Sequence, residues 1–121
     1  MKLSYAMKVI LVGFLVALTS LGHTGEAQTA PKRIEITAKR FTFQPAKITL
    51  KKGEPVVLVV KSADVAHSLR CRELNLDIKV NKGAAAEAPI TPAKTGDFIA
   101  HCGVFCGSGH GEMVMSIHVE D

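Results

Sequence analysis

The chain has 121 residues, 15 Lys and Arg against 11 Asp and Glu for a formal net charge of +4, three Cys and no Trp. A mildly basic chain without clustered arginine or stacking aromatics makes a poor nucleic-acid binder. An odd cysteine count leaves at least one thiol outside any intramolecular disulfide framework.

The first residues read as an export signal. Lys2 and Lys8 make a basic start, and Val9 to Leu21 is mostly apolar. That run falls short of the ~20 apolar residues of a membrane-spanning helix and fits a signal-peptide core. Gly25-Glu26-Ala27 offers small-x-small, which predicts cleavage after Ala27 and a periplasmic or secreted protein. Residues 1–27 are then a leader, 28–32 a linker and 33–121 one small domain. The 94 residues left after cleavage carry 13 basic and 10 acidic side chains, and no membrane span is expected among them. A core of that size is modestly stable by itself.

Ile34 and Ile36 alternate with polar residues, and Phe41 with Phe43, as in half-buried strands. Pro45 interrupts the pattern. Ile48 and Leu50 predict another strand, closed by Lys51-Lys52-Gly53. Pro55 to Val60 is a continuous β-branched and leucine run, expected to be buried on both faces. Ser62 to Ala66 is a connection that delivers His67. Leu74, Leu76, Ile78 and Val80 alternate strictly. Ala84 to Ala88 is compatible with a helical turn, but Gly83 and Pro89 bracket it too tightly for a helix. Thr95-Gly96-Asp97 predicts a turn, Phe98 to Cys102 a strand, and Val114 to Val119 a closing strand with Met115, Ile117 and Val119 on one face. Short strands, frequent turns and no long helix predict an all-β domain, an antiparallel sandwich or barrel.

The chemistry concentrates in Cys102-Gly-Val-Phe-Cys106-Gly-Ser-Gly-His110-Gly-Glu-Met113. Two thiols, an imidazole and a thioether suit copper, and soft sulfur favours Cu(I) in particular. On an extended strand Cys102 and Cys106 would stand about 13 Å apart, so two thiolates serving one centre require the chain to fold back. Gly103, Gly107, Gly109 and Gly111 permit that. A disulfide between Cys102 and Cys106 explains the sulfurs but leaves His110, Met113 and His67 without a role. His101 and His118 are expected at the surface. Met115 reads as core or as an axial ligand, and Cys71 as a semi-buried free thiol or an auxiliary sulfur.

This block resembles the binuclear copper (CuA) loop of cytochrome c oxidase subunit II and of nitrous-oxide reductase. Phe43-Gln-Pro45 through Lys52-Gly53, followed by Asp64-Val-Ala-His67-Ser68, is similar to the general cupredoxin pattern. The likeness spans residues 33–121. It implies a cupredoxin-like Greek-key β-sandwich or barrel and a one-electron relay holding two copper ions per chain. Cys102 and Cys106 would bridge the ions, and His67 and His110 would bind one each. Met113 would be a weak axial ligand to one copper, and the carbonyl of Val104 would serve the other. The partner would be a redox protein, or a copper donor or acceptor. The oxidase subunit carries Glu where Val104 stands, two membrane-spanning helices, an electron-accepting Trp and an acidic docking surface. This sequence departs on each point and reads as a free-standing soluble relative.

Three other readings use the same residues. Copper delivery needs the same soft ligands. A mononuclear blue-copper site would take His67, Cys106, His110 and Met113 or Met115, leaving Cys102 idle. Structural zinc on His67, Cys102, Cys106 and His110 gives Met113 no role. A Cys106–His110 catalytic pair lacks an orienting acid and a substrate pocket, so no turnover of an organic substrate is expected.

Overall fold

The computed structural model describes residues 29–121, together with Gly22 and Gly25. The leader, apart from those two glycines, lies outside the described residues. Nine strands form two sheets. They are β1 (Lys32–Lys39), β2 (Thr42–Gln44), β3 (Lys47–Lys51), β4 (Val56–Ser62), β5 (His67–Cys71), β6 (Leu76–Val80), β7 (Ala85–Ile90), β8 (Gly96–His101) and β9 (Val114–Glu120). One sheet runs β2-β1-β4-β7 and the other β3-β9-β8-β5-β6. Among the described residues the only helical pieces are two 3-10 turns, Arg72–Leu74 and His110–Glu112.

Most of the alternation becomes burial, although Ile34 and Leu74 are only half-buried and Phe41 lies in the turn after β1. Ile36 and Ala38 point inward from β1, Ile48 and Leu50 from β3, and Met115, Ile117 and Val119 from β9. Central β4 sits between β1 and β7, and Val56, Leu58, Val59 and Val60 are buried, whereas Val57 is half-buried and Pro55, at the start of the expected run, is exposed and precedes the strand. The inward faces of both sheets share one core.

The sheets are mixed rather than wholly antiparallel. β1 pairs in parallel with β4, Ile36 opposite Val60, and β3 in parallel with β9, Ile48 opposite Ile117. The cause is the transfer of the chain between sheets at Pro45–Ala46, which separates β3 from its neighbours in sequence and seats it beside the last strand. Ala85 to Ala88, within the stretch considered for a helical turn, forms most of an edge strand, β7. Ala86 and Ala88 pack inward against β4, and such small side chains give little hydrophobic period to read. Pro89 is tolerated there because an edge strand need not donate every N–H. Leu74 lies outside β6: Asn75 adopts φ 53°, which ends the 3-10 turn and starts the strand one residue later. β1 begins at Lys32, one residue inside the expected linker, and β8 begins at Gly96, inside the expected turn.

β8 and β9 are the site's scaffold, hydrogen-bonded partners whose facing ends, His101 and Val114, flank the Cys102–Met113 loop. β5 lies on the other side of β8, with Arg70 opposite His101. Ile117, fully buried between β3 and β8, is central to this support. Ile117→Ala should lower the unfolding free energy by about 2–5 kcal/mol in urea denaturation. Thr49→Ala, on the exposed face of β3, should change it by no more than about 0.5 kcal/mol.

Candidate metal centre

The loop from Cys102 to Met113 closes on itself. The Cys102 N–H donates to the Met113 carbonyl at 3.1 Å, so the two ends of the motif are tied side by side. Inside, the His110 N–H donates to the Gly107 carbonyl at 3.1 Å and the Met113 N–H to the His110 carbonyl at 3.3 Å, which winds the last turn tightly. This brings Cys106, His110 and Met113 together. Cys106 Sγ lies 3.7 Å from His110 Nδ1 and 3.7 Å from Met113 Sδ. Cys102 Sγ lies 3.0 Å from the Val104 carbonyl oxygen and 3.9 Å from His67 Nδ1. The ligating atoms of His67, Cys102 and Cys106 all fall within 4.8 Å of one another. All six residues singled out in the sequence are therefore in one cluster.

His67 arrives from the start of β5. The connection before it is ordered by its own polar groups: the Ser62 hydroxyl donates to the Val65 carbonyl, and the Asp64 N–H donates to Ser62 Oγ at 3.3 Å. Asp64 Oδ1 stands 2.7 Å from His67 Nε2 and accepts the Val65 N–H, while Oδ2 accepts the Arg40 N–H at 2.8 Å. Partial burial opposes ionisation of Asp64, but these donors outweigh it and lower its pKa to about 2. An ionised Asp64 holds the imidazole proton on Nε2 and leaves the Nδ1 lone pair facing the sulfurs. A carboxylate behind the far nitrogen is how a metal-binding histidine is commonly oriented.

Ser68, also fully buried, accepts the Gly103 N–H at 2.8 Å and fixes the start of the loop against β5. A side chain on Gly103 would bring its Cβ 2.8 Å from that hydroxyl. Asp64, Ser68, Arg40 and Phe41 are the site residues that sequence pattern did not single out for a role. The carboxylate three residues before His67 was a usable signal. Nothing local marks the other three, because they meet the loop only through the fold.

His67, Cys102, Cys106 and Met113 are buried, and His110 is half-buried. Burial, then the neighbouring Cys102, pushes the Cys106 thiol up to about 11. Among the described residues the structure has no disulfide; all three cysteines are free. Cys71 is buried at the far end of β5, its thiol 3.5 Å from Glu73 Oε2, and does not join the cluster. Met115 is a core residue, and His101 is exposed. His118 is half-buried and paired with Asp97 at 2.6 Å.

The donor set suits a soft metal: two thiols, two imidazole nitrogens, a thioether and a carbonyl converge, and no carboxylate stands among them. The cluster fits a metal site.

The cupredoxin-like domain family matches residues 8–115. The chain is similar to cytochrome c oxidase subunit 2 of Thermus thermophilus, 28% identical over 96 residues, covering 78% of this chain and 71% of the relative, and equally to a protein of the same name from a specified strain of Thermus thermophilus, of which it covers 57%. It is similar to the nitrous-oxide reductase of Cupriavidus necator, 30% identical over 91 residues, covering 72% of this chain and 14% of that enzyme. The solved periplasmic domain of cytochrome oxidase subunit II of Bradyrhizobium japonicum superposes with a TM-score of 0.68 at 22% identity, over 77% of this chain and 86% of that one, and shares the fold. This chain belongs to the cupredoxin-like family, and its two-sheet sandwich is the architecture the sequence led one to expect.

The orientation of His67 is directly testable in the metal-free protein. Nitrogen-15 NMR should find the proton on Nε2, and Asp64→Ala should abolish that preference while the strand resonances stay in place.

Proposed function

We propose that the protein is an exported cupredoxin that holds two copper ions in a CuA-like site and passes single electrons between redox partners. The observation that carries this reading is the doubled donor set. Each sulfur has its own imidazole nitrogen and its own weak donor within 4 Å: His67 and the Val104 carbonyl about Cys102, His110 and Met113 about Cys106. A single four-ligand site would leave part of that set idle. His67, Cys102, Val104, Cys106, His110 and Met113 would hold the copper, which when bound supplies one-electron redox chemistry.

The chain's own residues fit that task. Buried Cys102, Cys106, His67 and Met113 keep water from the donors. Three of the donors, His67, Cys102 and Met113, issue from the ends of sheet strands, and rigid support keeps rearrangement small when charge changes. His110 leads outward: its ring lies 5.6 Å from that of Phe105, which is 77% exposed and offers a partner a place to meet the site. Copper delivery would use the same sulfurs, but burial of four donors favours retention over release. The cupredoxin fold and the soft donor set support reading the protein as a carrier and not an enzyme. Residues 1–27 would direct it to the periplasm or outside the cell. No helix among the described residues is long and apolar enough to cross a membrane.

The copper-loaded domain should bind two coppers per chain and give an electron paramagnetic resonance signal of one unpaired electron shared by two copper nuclei. Cys102→Ser should destroy that signal. One copper per chain, with a spectrum indifferent to Cys102→Ser, would establish the mononuclear alternative instead.

A further inference from the structure

Arg40, outside both donor segments, touches both of them, and its neighbour Phe41 touches the loop. Arg40 and Phe41 form the turn between β1 and β2. The Arg40 backbone N–H donates to Asp64 Oδ2 at 2.8 Å, and the other oxygen of that carboxylate holds His67. The Arg40 side chain reaches the opposite way, and its Nε–H donates to the Cys106 carbonyl at 2.9 Å. Beside it, the Phe41 ring lies flush against the loop backbone between Cys106 and His110. A Cβ on Gly107 would come 2.9 Å from that ring, and one on Gly109 would come 2.5 Å. Phe41 is at the same time packed on the main core.

We propose that the Arg40–Phe41 turn is a positioning brace that fixes the Cys106–His110 arm of the loop relative to His67 before any metal arrives. β8 and Ser68 anchor only the Cys102 end of the loop, and β9 only the Met113 end. The middle carries Cys106 and His110, has glycine at 107, 109 and 111, and would otherwise be the loosest backbone in the site. A directed charged donor on the Cys106 carbonyl and an aromatic plate against two glycines restrain that middle. Because the same turn also binds Asp64, the two imidazoles are referred to one common fixture. Gly107 and Gly109 thus have a reason beyond flexibility: their missing side chains are the seat of Phe41.

The brace is a property of the metal-free chain, and only its bearing on copper rests on the function proposed above. Two readouts keep them apart. In metal-free protein, Arg40→Gln should speed hydrogen exchange of the His110, Glu112 and Met113 amides by about tenfold, the equilibrium shift expected from losing one hydrogen bond to a charged donor. The Leu58 and Val60 amides of β4 should keep their rates. Arg40→Lys should restore part of the protection, and Phe41→Leu should reproduce the loop-selective pattern. In copper-loaded protein, Arg40→Gln should speed copper transfer to a chelator by on the order of tenfold, the lower range for loss of a partner that orients a metal ligand. Unchanged loop exchange in Arg40→Gln, or equal acceleration in the loop and in β4, would overturn the brace. Failure of the wild type to bind copper would refute the functional reading and leave the exchange result to decide the brace.

Discussion

Everything at this site depends on folding a short backbone segment back on itself. Cys102 and Cys106 are four residues apart, and the chain's natural extension would separate them by about 13 Å. Their sulfurs nevertheless lie within 4.8 Å of a third donor that comes from another strand. The device that reverses the chain is the bond from the Cys102 N–H to the Met113 carbonyl, which makes a closed loop from the gap between β8 and β9. Glycines let that loop turn tightly. Polar side chains from β5 and its approach then hold it from one side, and the turn after β1 holds it from the other.

The stabilising contacts are divided in a way that suits a preformed centre. The sandwich core is apolar and indifferent to metal, and its inward side chains come from both sheets. The centre itself sits at the margin of that core, where buried sulfur continues the packing and the imidazoles meet their own partners. Among the described residues no buried side-chain nitrogen or oxygen lacks a hydrogen bond. The polar groups near the donors therefore stabilise the metal-free chain as well as orient it. Asp64 illustrates this: it satisfies two backbone N–H groups and the ring of His67 at once. Geometry that exists before the metal is bound changes little when charge on the metal changes, which is the property a one-electron relay needs.

Much of this was legible in the chain because the physics is local. Strict alternation marked β9, the continuous run marked β4, and glycine spacing marked a folded-back loop. The donors of that loop declared themselves by chemistry at short spacing. What stayed hidden depended on distant partners. β7 is alanine-rich and becomes a strand only because β4 offers it a ladder. The parallel pairings follow from the transfer of the chain between sheets at Pro45–Ala46, which no turn signal encodes. Arg40, Phe41 and Ser68 look like ordinary surface, core and strand residues until the fold sets them against the loop. His67 was legible through resemblance more than through its own sequence, since a lone histidine after an apolar strand carries little information.

We propose that the pair of sulfurs and its surrounding nitrogens hold two soft ions, not one. Titration of the metal-free, reduced protein with Cu(I), followed by native mass spectrometry, tests it most directly. The account predicts that the chain passes to a form heavier by two copper masses, with the second ion retained under conditions that strip loosely bound metal. A chain that saturates at one copper, or that sheds the second as readily as a surface-bound ion, would contradict it.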